Sequence, residues 1–210
     1  MLALYSACSE HMREIALLYK YRGLTNLQFA LDIFVNHRLH AAGYKDLNDP
    51  MEGQYEYIRG TLDHWQREEI FGAKNQYRLV ALSETHNNVL MWSYYADSHT
   101  GMVVGVEITE PDANIIPIDY VENLNIDLQH PDIAQGVLSK KLKLWGHEKE
   151  RRVFVRQPFV GVNVRELYFG VGTPAAVKEL VTLIANKFCH GIQASTLTKD
   201  ELDYGGATPC

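Results

Sequence analysis

The chain has 210 residues, 46% hydrophobic and 22% charged, and its 20 basic against 26 acidic residues give a formal net charge of −6. A chain of this length folds as one domain that buries roughly 70% of its unfolded surface, and the composition excludes collagen-like, low-complexity and disordered classes. The acidic balance disfavours a general surface for phosphate backbones, although it leaves room for a local basic patch.

The three cysteines, Cys8, Cys189 and Cys210, have neither zinc spacing nor a disulfide framework. No apolar run approaches the roughly 18 to 20 residues that span a bilayer, and Glu10, Arg13 and Glu14 break any secretory pattern. The expectation is a cytoplasmic protein with no membrane partner.

In chain order, residues 7–18 carry Met12, Ile15, Ala16 and Leu18 loosely on one helical face. Residues 18–22 then read as a strand stopped by Gly23. A helix over 26–35 follows, with Leu27, Ala30, Leu31 and Phe34 at helical spacing, and then a short strand over 38–42. Asn48 and Asp49 favour a turn and Pro50 suits the first turn of a helix; residues 55–71 read as a partly exposed helix broken near Gly60.

A buried strand over 77–82 leads to Ser83, an aromatic helix around Met91, Trp92, Tyr94 and Tyr95, and a valine-rich strand over 102–108. Pro117 restricts a strand over 115–121 to an edge or bulge. Residues 138–144 read as a short basic helix, and strands follow over 152–155 and 164–169. Thr173 then caps a helix that runs through about Cys189, with Pro174 in its first position. Residues 196–210 read as a loosely held tail on a single domain of 1–210. The fold class is α+β, or α/β, with a mixed, split sheet and flanking helices.

Three clusters place polar groups at strand ends, where a sheet presents side chains to a cleft: Lys20-Tyr21-Arg22, Ser83-Glu84-Thr85, and Trp145 through Arg152. In an extended strand Glu148, Glu150 and Arg152 share one face, so two carboxylates converge beside a guanidinium. Like charges this close push one pKa up, a route to an acid/base pair. Taken alone, the same segment also fits an exposed strand end with alternating ion pairs.

The chain resembles a family of bacterial and phage domains of unknown function. The resemblance rests on Tyr19-Lys20-Tyr21-Arg22, Leu47-Asn48-Asp49-Pro50-Met51-Glu52, Leu82-Ser83-Glu84, Met91-Trp92-Ser93-Tyr94-Tyr95-Ala96-Asp97 and Trp145 through Arg152. A weaker resemblance is to ADP-ribosyltransferases, which carry a basic residue on an early strand, a serine at the end of a middle strand, and Glu-X-Glu entering a later strand. That resemblance implies an ADP-ribosyltransferase-like fold in which Arg22, with Lys20 and Tyr21 beside it, binds the phosphates of NAD. Ser83 would orient the catalytic carboxylate, Glu150 would be that carboxylate, and Glu148 would activate the acceptor, protein or nucleic acid. Tyr21, Trp92 or Tyr95 would stack on a ring of the nucleotide, and Asn48 or Asp49 would sit at the pocket rim. Ser83 is followed by Glu84 where the Ser-Thr-Ser pattern has a further hydroxyl.

NAD, as substrate, is thus the expected small molecule, and a toxin or antiphage effector the expected role, with no metal. A non-catalytic nucleotide-sensing module is the alternative. A metal-dependent nuclease or hydrolase is the second alternative, drawing on His37, His40, Asp49, Glu52, His86, Asp97, His99, His147 and Glu148, which show no familiar ligand spacing. Phosphate-cradling and dinucleotide glycine motifs are missing, as is any recognisable motif around Cys8 or Cys189.

Overall fold

The first strand, β1 (Leu18–Arg22), lies at the centre of an eight-stranded, mostly antiparallel sheet, and it binds its two neighbours very unequally. The computed structural model describes residues 17–111 and 113–205. The helix expected from residue 7, Cys8, Cys210 and the chain from 206 lie outside the described residues.

After β1 come α1 (Leu27–Val35), β2 (Arg38–His40), α2 (His64–Asn75), β3 (Arg78–Ser83), α3 (Val89–Tyr95) and β4 (Met102–Ile108). Then follow β5 (Asn114–Pro117), β6 (Asp119–Val121), α4 (Ile133–Leu138), β7 (Lys140–Leu142), β8 (Glu150–Val155), β9 (Phe159–Phe169), α5 (Ala175–Phe188) and β10 (Gln193–Thr196). The main sheet runs β10-β9-β4-β1-β3-β8-β5, with β2 added to β9, while β6 and β7 form a separate parallel pair. Helices flank the sheet, and the class is α+β.

All five residues of β1 pair with β4, but only Tyr19 pairs with β3, opposite Ser83. Continued pairing would bring Tyr21 opposite Ala81. Instead the strands diverge, and the freed Ala81 carbonyl accepts a hydrogen bond from Lys20 Nζ at 3.0 Å. A long side chain thus satisfies a backbone group that the ladder abandons.

Strand alternation divides the apolar residues between three clusters. Leu18, Val80, Leu82, Val104, Val106 and Val153 face α1 and α5 in the largest. On the other face Tyr21 and Val103 pack on Met91 and Trp92 of α3, and Leu79 and Phe154 pack with Tyr44 and Leu138. Each such buried side chain contributes roughly 1.5–3 kcal/mol, which fixes the strands that carry polar groups between them.

Several elements differ from expectation. The helix expected over 55–71 is α2, which starts at His64 because Asp63 and Gln66 form a reciprocal capping box. Pro50 opens a tight turn, not a helix, with Glu52 N–H donating to Asp49 C=O at 3.0 Å. The basic helix expected over 138–144 is strand β7 followed by a 3-10 turn, Lys143–Glu148. The strand expected over 115–121 breaks at Ile118, and Pro117 ends the edge strand β5, where its missing N–H costs nothing. Strand β9 begins at Phe159, five residues before the expected start. Thr173 does not cap α5; its hydroxyl donates to Gly101 C=O at 2.9 Å, and Pro174 is the cap residue. Up to residue 205 the tail is docked: Leu197 and Leu202 are buried beside α3, and Asp203 exchanges backbone hydrogen bonds with Asn87 and Val89.

Candidate functional site

The divergence of β1 and β3 opens a cavity of about 780 Å³, within the range of small-molecule sites. The turn after β3 builds one side of it. Ser83, which is buried, donates its hydroxyl to Glu148 C=O at 2.7 Å and accepts from Thr85 N–H at 3.1 Å; Glu84 N–H donates to Lys149 C=O at 3.0 Å. Lys149 has φ +43°, the left-handed conformation that ends the 3-10 turn and starts β8. Glu148 is therefore a turn residue, not part of a strand face shared with Glu150 and Arg152.

The two carboxylates nevertheless converge, because a cation lies between them. Lys141 Nζ on β7 reaches Glu148 Oε2 at 2.5 Å, Glu150 Oε2 at 2.8 Å and Glu52 Oε1 at 3.5 Å. Arg152, with no exposed surface, donates from Nε to Glu150 Oε1 at 2.6 Å, from Nη2 to Glu52 Oε1 at 2.5 Å and from Nη1 to Leu138 C=O at 2.7 Å. Tyr95 OH at the end of α3 donates to Glu148 Oε1 at 2.6 Å, and Tyr120 OH accepts from Glu150 N–H at 2.8 Å. Glu52 arrives through the Asn48-Asp49-Pro50 turn: Asp49 Oδ1 accepts from Met51 N–H at 2.9 Å, the side-chain turn that Asp favours.

These contacts drive the two neighbouring glutamates apart in acidity. Burial opposes ionisation of Glu150, but Arg152 and Lys141 outweigh it and hold its carboxyl at about 2. Burial raises the carboxyl of Glu148 above its ordinary value, against the pull of Lys141 and Tyr95. Glu150 is thus held as the anion, while Glu148 holds a proton more readily than an ordinary carboxyl. The glutamates keep Lys141 protonated despite its burial.

Across the cavity Lys20 and Arg22 form no ion pair among the described residues. Lys20 and Arg22 alternate with Tyr19 and Tyr21 along β1. Burial, with Arg22 adding, lowers Lys20 to about 8 against the pull of Glu150 and Glu148. Arg22 is half-buried, and among the described residues no carboxylate lies within ion-pair distance of it. Its position is set by the next residues, since Asp97 Oδ2 accepts from Leu24 N–H at 2.8 Å, Thr25 N–H at 2.9 Å and Thr25 Oγ1 at 2.8 Å. Gly23 and Gly101 admit this packing: a Cβ on Gly23 would stand 2.2 Å from Asp97, and one on Gly101 2.4 Å from Arg22 C=O.

Of the residues singled out from sequence, Lys20, Arg22, Asn48, Asp49, Ser83, Tyr95, Glu148 and Glu150 line this cavity. Tyr21 contributes at its margin, but its side chain packs edge-on against Trp92 and its hydroxyl donates to Thr85 C=O at 3.0 Å. Trp92 is fully buried in the core, its indole N–H donating to His86 C=O at 2.8 Å, and is not on the cavity wall. Lys141 was not anticipated, although Lys141-Leu142-Lys143-Leu144 alternates with the period of a strand. Arg152 was expected as the guanidinium beside the two carboxylates, whereas Glu52 was named only as a possible metal ligand.

Among the described residues no group of three His, Cys, Asp or Glu is arranged to hold a metal ion, and no helix is long and apolar enough to cross a membrane. Where three carboxylates meet, the ammonium of Lys141 occupies the centre. No protein-family model, curated protein or solved structure matches the chain.

Proposed function

We propose that the cleft binds NAD and that the domain cleaves the nicotinamide–ribose bond, passing ADP-ribose to an acceptor or to water. One observation carries this reading: Arg22, Ser83 and Glu150, the three positions of the transferase-like signature, lie on the neighbouring strands β1, β3 and β8 and line one cavity. Register brings Ser83 and Glu150 into one row, while Arg22 alternates onto the other face of β1 and lines the cavity where β1 and β3 diverge.

The residue types suit the chemistry. Lys20 and Arg22 supply charge-assisted donors to a pyrophosphate. Breaking the glycosidic bond develops oxocarbenium-like positive charge, which the Glu150 carboxylate stabilises. Glu148 takes the proton of the attacking hydroxyl on Oε2, the oxygen it shares with Lys141, while Tyr95 OH holds Oε1 in place.

A second reading, a nucleotide sensor without turnover, is favoured by the saturation of Glu150. Both of its oxygens are paired with cations, and the Ser83 hydroxyl is committed to the Glu148 carbonyl. Nicotinamide release from NAD separates the two. The enzyme reading requires release by the wild type and a drop of at least a hundredfold in a folded Glu150→Gln variant, the scale of a lost transition-state charge contact. NAD bound without release establishes the sensor.

A further inference from the structure

The cavity extends beyond the signature residues into a lobe between α1 and β2 that none of the chemistry above uses. Gln28, Phe29 and Asp32 form its wall on one stripe of α1, while Arg38, His40 and Phe159 form its floor. The opposite stripe of α1, Ala30 and Phe34, is fully buried, so this wall is a consequence of the helical period.

The guanidinium of Arg38 lies over the ring of Phe159, 3.7 Å from its centroid. Asp32 fixes it there, accepting from Nε at 3.0 Å and from Nη2 at 3.1 Å. Nη1 is left to donate elsewhere, and the Arg38 side chain remains 37% exposed. Phe29 is 54% exposed, a large aromatic ring left open on the wall, with Arg22 5.9 Å from its centroid. His40 stands edge-on to Phe159 at 5.7 Å.

We infer that this lobe is a nucleobase subsite, in which a purine stacks on the exposed ring of Phe29 and the open face of the Arg38 guanidinium. A planar cation held over one aromatic ring, with a second, exposed ring on the wall of the same cavity, is a surface on which bases stack, since every base offers a π-face. The adjacent unpaired Arg22 lies where the phosphate attached to such a base would run. The inference rests on the nucleotide reading of the cleft, and it names which end of the ligand sits beside α1. The base is either the adenine of NAD itself or that of a separate acceptor nucleotide.

Calorimetric titration of the full chain with AMP, NAD and nicotinamide mononucleotide tests it. AMP is expected to bind the wild type and to lose roughly tenfold or more in affinity in Phe29→Ala, the scale of one base–aromatic stack. Arg38→Lys, which keeps the charge but loses the plane, is expected to lose a similar factor, with nicotinamide mononucleotide unaffected in both. Phe29 is exposed, so unchanged melting temperatures establish that these variants fold. AMP that competes with NAD assigns the subsite to the dinucleotide's own adenine; AMP that binds alongside NAD assigns it to an acceptor. Unchanged AMP and NAD affinities in both variants overturn the subsite while leaving the cleft reading intact. Failure of the wild type to bind either nucleotide overturns both.

Discussion

The two ends of the cavity handle charge in opposite ways. At the β8 end, Glu52, Glu148 and Glu150 are buried with Lys141 and Arg152 and share short contacts, with Glu52 Oε2 alone left without a partner in the cluster. At the β1 end, Lys20 donates only to a backbone carbonyl and Arg22 has a cavity in front of it. The first end is an internal framework whose charges were chosen against one another. The second presents its two cations to the cavity without an ion pair. Buried pairs are costly to break singly because the partner is stranded without water, whereas a half-buried unpaired cation can be removed at little structural cost.

That contrast predicts a graded series. Arg152→Ala should have the largest effect, about 3–5 kcal/mol in denaturant unfolding, because Glu52 and Glu150 lose their guanidinium in a dry site; a loss below about 1 kcal/mol would mean that water enters the cluster. Lys141→Met should cost about 3 kcal/mol at pH 8 and clearly less at pH 5. Without the ammonium the carboxyls have raised folded-state pKa values, so the variant's stability is present at low pH and falls as pH rises through them. Equal losses at the two pH values would contradict the shared-cation geometry.

In the wild type the sign for Glu150 is the reverse. Its folded pKa of about 2 lies below the ordinary 4.5, so its contribution is present above pH 4.5 and lost as pH falls towards 2. Glu150→Gln should flatten that acid limb in urea unfolding followed across pH. Arg22→Ala, at the open end, should change stability by less than about 1 kcal/mol while weakening an anionic ligand roughly tenfold, an effect that shrinks as salt is added. Smallest of all, Arg151→Ala removes an exposed pair with Glu84, 2.6 Å long, and should shift unfolding by under about 1 kcal/mol.

The same contrast explains what the sequence disclosed. Lys20, Arg22 and Ser83 were legible because they end strands whose apolar alternation is local. Strand β8 was legible from Val153 and Val155, but the position of Glu148 was not, since the left-handed Lys149 between it and Glu150 is imposed by Ser83 and Glu84 from β3. Lys141 was hidden for a related reason: β7 exists only by pairing with β6, twenty-one residues earlier, Asp119 against Lys140, and a run of lysine and leucine reads locally as a helix. The start of α2 was available and overlooked, as Asp63 and Gln66 have the capping-box spacing. The early residues of β9 were equally visible, for Val160, Val162 and Val164 alternate with Gly161, Asn163 and Arg165. Trp92 shows the converse: a motif residue beside the site owes its place to the core, where a buried aromatic contributes most.

The claim on which both functional readings depend is that the open end of the cleft holds the phosphates of a nucleotide. Titration of NAD into the wild type and into Arg22→Ala at low and moderate salt tests it most directly. The account predicts saturable binding to the wild type, weakened roughly tenfold by Arg22→Ala at low salt, with the gap narrowing as ionic strength rises. Absence of NAD binding, or equal affinity in the two proteins at both salt concentrations, would contradict it.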